Sequence, residues 1–503
     1  METTLDRADF GAARYYEVGG QRLAAGDTEG AIAAYRQCLA QAPPHASVLN
    51  NLASALIRAG QSEAAVNALE AALVLDPGYL RALANLGKAL HDAGRVDEAI
   101  LRLNQALTAS PDYVPALVNL GVALAAAGDF EAAELALERS VRLAPMHVEA
   151  RMSLGIIRLQ SGRIAASLDA LRTAVALGPT HADAHSNLGH ALFVAGEWKS
   201  AWPHFEYRFQ RHARRILLRP PAGVARWDGV PSPELELWLV GEQGLGDQLQ
   251  FSRYAKFLHD RGFRCVIVCD PCLVGILRAA QLCGRVVPFD TAAEGGAARW
   301  FPLMSVPGLH QTEPHTASAV PAYLAADPAR VERWRARLPR TTELRVALAW
   351  AGNPRMETGR HAGRSPPLAA FAPLMAVPRV NFVSLQKGQG EEQLDTAPFG
   401  NSILRFADLD AGADAFLDTA AALKCVDLLI TSDSAIAHLA GALGVPTWLC
   451  LKHEPDWRWM LARADTPWYP SMRLFRQPTH KDWAGLFTQV AAALTLRSAQ
   501  IRP

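Results

Sequence analysis

The sequence predicts an α-solenoid followed by an α/β region made of two parallel-sheet halves. Three observations predict it. A 34-residue step runs through the amino-terminal part of the chain. From about residue 234, apolar strand-like runs alternate with helical patterns. A Pro-rich, weakly patterned stretch, 302–343, divides the strand-like runs into two groups. The 503 residues allow two to four domains at roughly 100–200 residues each. Charges are even, 50 Lys+Arg against 49 Asp+Glu, which excludes nucleic-acid binding through overall basicity. With 50% hydrophobic and 20% charged residues the chain reads as globular.

The step is strict. Prolines fall at 43, 77, 111, 145 and 179, and glycines at 26, 60, 94, 128, 162 and 196. A small residue follows each glycine by five: Ala31, Ala65, Ala99, Ala133, Ser167 and Ala201. The pairs Leu86-Gly87, Leu120-Gly121, Leu154-Gly155 and Leu188-Gly189 keep the same spacing. Small residues let two helices approach closely, and proline stops the second. The pattern resembles the tetratricopeptide repeat, in about six copies over 1–212. Such an array implies a protein or peptide in its concave groove. Asn51, Asn85, Asn119 and Asn187 recur two residues before the repeat's Gly/Ala position, with Ser153 in the remaining slot. An amide both donates and accepts, so a ladder of them can hold an extended peptide backbone. The four are candidate acceptor-binding residues; local packing of each amide is the alternative. The ladder resembles that of the O-linked N-acetylglucosamine transferase superhelix.

The last repeat drifts toward aromatics, with Trp198, Trp202, Phe205, Tyr207 and Phe209, and reads as a cap that docks onto the next domain. A linker, 213–233, carries Arg214, Arg215 and Arg219 before Pro220-Pro221. Strand-like runs come next, at Leu235–Val240, Cys265–Cys269, Val346–Trp350, Phe382–Leu385, Leu428–Thr431 and Thr447–Leu451. Helical spacing lies between them, as in Gln248–His259, where Phe251, Tyr254, Ala255 and Leu258 share a face. Such alternation implies parallel sheets covered by helices. We divide the region into two Rossmann-like halves, 234–340 and 341–503, with ligands expected at the carboxyl ends of the strands.

Three strand-end loops carry the candidate chemistry. In Gly241-Glu242-Gln243-Gly244-Leu245-Gly246-Asp247, Gly244 and Gly246 allow close backbone approach, and Asp247 opens a helix as either a cap or a general base. In Thr431-Ser432-Asp433-Ser434-Ala435, free N–H groups at a helix start suit a pyrophosphate, with His438 one turn on. The third loop, Gly352–Ser365, is basic, with Asn353, Arg360 and Arg364; Lys387 adds charge at a neighbouring strand end.

Together, Glu-Gln-Gly-Leu-Gly-Asp, Ser-Leu-Gln-Lys-Gly and Asp-Ser-Ala-Ile-Ala-His-Leu-Ala-Gly-Ala-Leu-Gly-Val-Pro resemble bacterial tetratricopeptide-repeat glycosyltransferases of the GT-B fold related to the heptosyltransferase family. Pro455-Asp456-Trp457-Arg458-Trp459 and Pro467-Trp468-Tyr469-Pro470 fit that group too. The resemblance implies a catalytic base at Asp247. It implies donor nucleotide-sugar contacts at Ser432, Asp433, Ser434, Ala435 and His438, beside Gly244, Gly246, Asn353, Arg360, Arg364 and Lys387. It also implies inverting transfer to an acceptor hydroxyl, on a protein recruited by the repeats. The alternatives are a non-catalytic repeat scaffold with a degenerate transferase domain, and a transferase acting on a cell-surface glycan.

No metal or other cofactor is expected. Asp408-Leu409-Asp410 matches a metal-binding D-x-D, but so short a pattern reads better as a turn. Cys265 and Cys269 flank an apolar strand, about 13 Å apart and too far for one cluster. Cys38, Cys265, Cys269, Cys272, Cys283, Cys425 and Cys450 form no disulfide framework. No signal peptide is visible, and Ser434–Leu451 reads as a helix, a turn and a buried strand. The expectation is a soluble cytoplasmic protein without a membrane span.

Overall fold

A computed structural model of the chain describes residues 10–211, 218–232, 234–292, 298–317, 322–354, 357, 362–412, 415–454, 456–461 and 463–500. The chain divides into two compact units: Met1–Leu188 with Arg211–Ala213, and Gly189–Gln210 with Arg214–Pro503.

Among the described residues, the regular structure of the amino-terminal part is helical. Helices come in pairs: α1 (Phe10–Ala24) with α2 (Thr28–Gln41), α3 (Ala46–Arg58) with α4 (Ser62–Leu75), and α5 (Leu80–Asp92) with α6 (Val96–Ala109). The series continues as α7 (Val114–Ala127) with α8 (Phe130–Leu143), α9 (Val148–Gln160) with α10 (Ile164–Leu177), and α11 (Ala182–Ala195) with α12 (Trp198–Phe205). Each periodic glycine takes a left-handed turn after the first helix of a pair, with φ from +73° at Gly60 to +95° at Gly128. Each periodic proline lies two residues past the second helix. The small residues Ala31, Ala65, Ala99, Ala133, Ser167 and Ala201 are fully buried. At Gly87 and Gly121 a Cβ would meet Leu103 and Leu137 at 2.4 and 2.5 Å, so helix contact there requires glycine.

The second unit holds two five-stranded sheets, and among the described residues every pairing of their strands is parallel. The first comprises β1 (Ala225–Arg226), β2 (Glu236–Val240), β3 (Arg264–Cys269), β4 (Arg285–Pro288) and β5 (Ala298–Pro302), in the order β1-β5-β2-β3-β4. Its helices are α13 (Leu245–Phe251), α14 (Arg253–His259), α15 (Val274–Ala279) and α16 (Val306–Leu309). The expected helix over 248–259 thus begins at Leu245 and breaks at Ser252. The stretch expected to separate the strand groups contains α16 and α17 (Pro328–Arg337).

The second sheet comprises β6 (Leu344–Ala349), β7 (Val380–Ser384), β8 (Leu428–Ser432), β9 (Thr447–Leu451) and β10 (Met472–Arg476), in the order β10-β9-β8-β6-β7. Its helices are α18 (Ala372–Met375), α19 (Gln393–Thr396), α20 (Leu417–Leu423), α21 (Ala435–Ala442) and α22 (Trp483–Ala499). Val346, Leu348, Leu428 and Ile430 form its core with Phe371, Phe487 and Val490. Both architectures are compatible with Rossmann-like α/β halves. Among the described residues no helix is long and apolar enough to cross a membrane.

The expected cap is an aromatic cluster inside the second unit. Phe193 stacks on Trp457 with ring centroids 4.1 Å apart, and Trp198 stacks on Trp468 at 5.0 Å. Trp202 Nε1 donates to the Thr312 carbonyl at 2.9 Å. Burial of these rings removes large apolar areas from water.

Candidate functional site

The loop after β2 ends where α13 begins. Asp247, in the first turn of α13, accepts a hydrogen bond from Gly244 N–H through Oδ2 at 2.9 Å. This backward reach caps the helix and satisfies one of its orphan donors. Its other oxygen, Oδ1, accepts from Arg458 Nη2. Burial pushes the Asp247 carboxyl above its ordinary range, opposed by the Arg458 cation and the Gly244 N–H.

Arg458 lies in a short helical turn after β9 and is almost fully buried. Its Nε donates to Gln250 Oε1 at 2.6 Å and its Nη1 to Asp456 Oδ1 at 2.7 Å. One guanidinium thus joins α13 of the first sheet to the β9 loop of the second. Two carboxylates on one cation repay the desolvation that burial imposes.

The α21 start lies beside this cluster. A Cβ on Gly246 would stand 2.6 Å from His438 Cδ2 and 3.4 Å from the Ala435 Cα, so Gly246 lets α13 and α21 touch. Burial lifts Asp433 to about 6, helped by Asp456 and opposed by Arg364. Arg364 also lowers Asp247, so its charge acts on both aspartates. A Cβ on Gly352 would meet Arg364 Nη2 at 3.3 Å and the Ser434 Cβ at 3.7 Å. Gly244, Gly246, Asp247, Arg364, Asp433, Ser434 and Ala435 therefore converge at facing strand ends.

Other expected residues are placed differently. Ser432 is fully buried and its hydroxyl donates to the Trp350 carbonyl at 2.9 Å, tying β8 to β6. Its hydroxyl proton is therefore engaged in the fold rather than turned toward the α21 start. His438 is buried, stacks on Trp459 and bonds Tyr469 Oη through Nδ1 at 3.0 Å. Burial, then the Arg458 cation, hold its pKa well below the ordinary range, so it enters the site as a neutral ring rather than a cation.

Lys387 is exposed after β7, two strands from β8 and so roughly 10 Å aside by strand spacing. Gln386 fixes this loop by accepting from Trp350 and Ala351 N–H at 2.8 and 2.9 Å. Asn353 is exposed after β6. Arg360 lies outside the described residues. Asp408 pairs with Arg337, and Asp410 accepts from Asp418 N–H at the start of α20, so both aspartates have structural work. Cys265 and Cys269 are buried in β3, where burial raises both thiols to about 12.

The repeat asparagines reach one repeat back. Asn51 Nδ2 donates to Tyr16 Oη at 3.0 Å, Asn85 Nδ2 to Asn50 Oδ1 at 2.8 Å, and Asn119 Nδ2 to the Ala84 carbonyl at 3.0 Å. Each partner is 35 residues earlier, so these amides pin neighbouring repeats together. Asn187 is half-buried on the same series. Sequence reasoning quoted Arg458 and Asp456 without assigning them a role, and missed Gln250.

Residues 19–65, 50–114, 118–182 and 155–207 match the tetratricopeptide repeat family. Protein FlbA of Caulobacter vibrioides (strain ATCC 19089 / CIP 103742 / CB 15) is 30% identical over 335 residues, covering 60% of this chain. The chain spans about half, 53%, of that relative's length. Among solved structures, the thermophilic TPR protein TTC0263 of Thermus thermophilus is 22% identical with a TM-score of 0.34, covering 36% of this chain and 98% of that one. Pseudomonas aeruginosa pilF is 22% identical with a TM-score of 0.32, covering 40% and 89%. The tetratricopeptide repeats suggest protein partners for this part of the chain.

Proposed function

We propose that the second unit is an inverting, metal-independent glycosyltransferase of GT-B type, acting on a protein that the repeats recruit. The reading is supported above all by one observation. The Asp247 loop at the end of one parallel sheet touches the α21 start at the end of the other through Gly246, and the Arg364 charge acts on both Asp247 and Asp433. In the proposed step an acceptor hydroxyl attacks the anomeric carbon of a nucleotide-sugar while Asp247 takes its proton. The new carbon–oxygen bond forms as the carbon–oxygen bond to the nucleotide diphosphate breaks. Arg364 and the N–H groups at Ser434 and Ala435 meet the leaving charge, with Lys387 farther out. A carboxyl raised by burial is a better proton acceptor than an exposed one.

A second reading, a repeat scaffold with an inactive α/β unit, draws on the same carboxylate. Both Asp247 oxygens are engaged, as in a purely structural ion pair. Melting the purified protein with UDP, GDP, ADP or CMP separates the two. A nucleotide at 100 times its Kd adds about 2.7 kcal/mol of stability. One nucleotide is expected to raise Tm, and Arg364→Ala to remove most of the rise. Asp247→Asn is expected to keep the rise but lose about a hundredfold or more in turnover. No shift with any nucleotide at millimolar concentration would sink the transferase reading.

A further inference from the structure

Resting on the proposed role of Asp247, we infer that Arg208 is a positioning residue for the catalytic loop, acting through Glu242. Arg208 follows α12 in a short helical turn, Glu206–Gln210, and only 4% of it is exposed. Its Nε donates to Glu242 Oε2 at 2.9 Å and its Nη2 to Glu242 Oε1 at 2.8 Å. This two-pronged pairing fixes both the distance and the plane of the carboxylate. Glu242 Oε1 also accepts from Met304 N–H at 3.3 Å. The guanidinium is held in turn by Glu206 and Ser305, at 2.8 and 2.7 Å, and lies 4.1 and 3.9 Å from the Phe205 and Phe209 ring centres.

Glu242 is the second residue of the loop that ends at Asp247. The loop is pinned at its start by Gly241 N–H on the Val268 carbonyl at 2.7 Å, and at its end by Gly244 N–H on Asp247. Between the pins Gln243 adopts φ +60°, a left-handed conformation that a glutamine holds only when its surroundings impose it. The Arg208–Glu242 pair is the side-chain brace beside that residue. Losing it frees the strained turn to relax and carries the Asp247 carboxylate off its line, and a shift of about 1 Å can cost about a hundredfold in rate.

The test uses the full chain and four variants, Arg208→Met, Glu242→Gln, the double variant and Arg208→Lys, beside Asp247→Asn. Turnover is read as hydrolysis of the sugar derivative of whichever nucleotide shifts melting. If the two side chains act as one brace, each single variant and the double lose the same tenfold or more in kcat. Nucleotide affinity stays within about twofold, and Arg208→Lys recovers part of the rate. Losses that multiply in the double variant, or that track melting temperature alone, overturn the inference. If Asp247→Asn is inactive while Arg208→Met turns over normally, the base stands and the brace falls. If Asp247→Asn keeps full turnover, the base assignment falls first and the brace with it.

Discussion

Around Arg458, one cation serves Asp247, Asp456 and Gln250 at once. The pair Asp247–Arg458 joins positions 211 apart, so no spacing in the chain announces it. Asp247 itself was legible because a strand, glycines and a helix start surround it. Its partner was not, because burying an arginine is a property of the assembled fold. His438 shows the same limit: its place one turn after Ser434 was legible, but the burial that keeps its ring neutral belongs to the assembled fold. That ring has a measurable consequence. Its folded pKa is held well below the ordinary value, while the unfolded chain takes up its proton near pH 6.5. Stability contributed by His438 is therefore full above about pH 6.5 and is lost as pH falls below it. In urea unfolding at about pH 7.5 and about pH 5.5, the stability gap between wild type and His438→Asn should be smaller at the lower pH. A constant gap would show that the buried ring titrates normally.

Among the elements, periodicity served best where one residue type met one steric demand. The Leu-Gly pairs mark close helix approach, and the spaced glycines mark left-handed turns. The two kinds of glycine should fail differently. Gly87→Ala drives a methyl into Leu103 and should cost about 1–3 kcal/mol by overpacking. Gly94→Ala meets nothing within 4 Å and bears only the φ +82° strain, about 1 kcal/mol. Thermal unfolding of the two variants, with Leu103→Ala as a partner that relieves only the first, checks the assignment. All six strand-like runs became strands within two residues at either end. The missed strands, β1, β4, β5 and β10, are short or carry arginine and proline, and three lie at sheet edges. Edge strands bury one side less completely, so their sequences lack the continuous apolar run that reveals a central strand.

For the whole molecule, the repeat pattern and the folding units part company. The repeats continue to residue 207, but the compact units divide after Leu188. The last helix with repeat spacing, α12, gives its aromatic face to Trp457, Trp468 and Thr312. A fragment 189–503 should unfold cooperatively, whereas 213–503 should expose those rings and aggregate, a difference that a melting curve and gel filtration will read. The aspartate and the α21 motif were legible in the sequence because each sits in one loop; the aromatic seam was not, since its paired rings are 264 and 270 residues apart in the chain.

The seam also has an optical consequence. Trp198 and Trp468 lie with ring centres 5.0 Å apart and planes 20° from parallel. Two indole transition dipoles so close couple strongly, and their fixed mutual orientation gives the coupling a handedness. The protein should thus carry an exciton couplet in its ultraviolet circular dichroism that shrinks when either tryptophan is replaced by phenylalanine, the remainder coming from Trp457, 5.8 and 5.9 Å from the two rings. No added label is required, and the sign and size of the couplet would follow the seam through any titration or heating run.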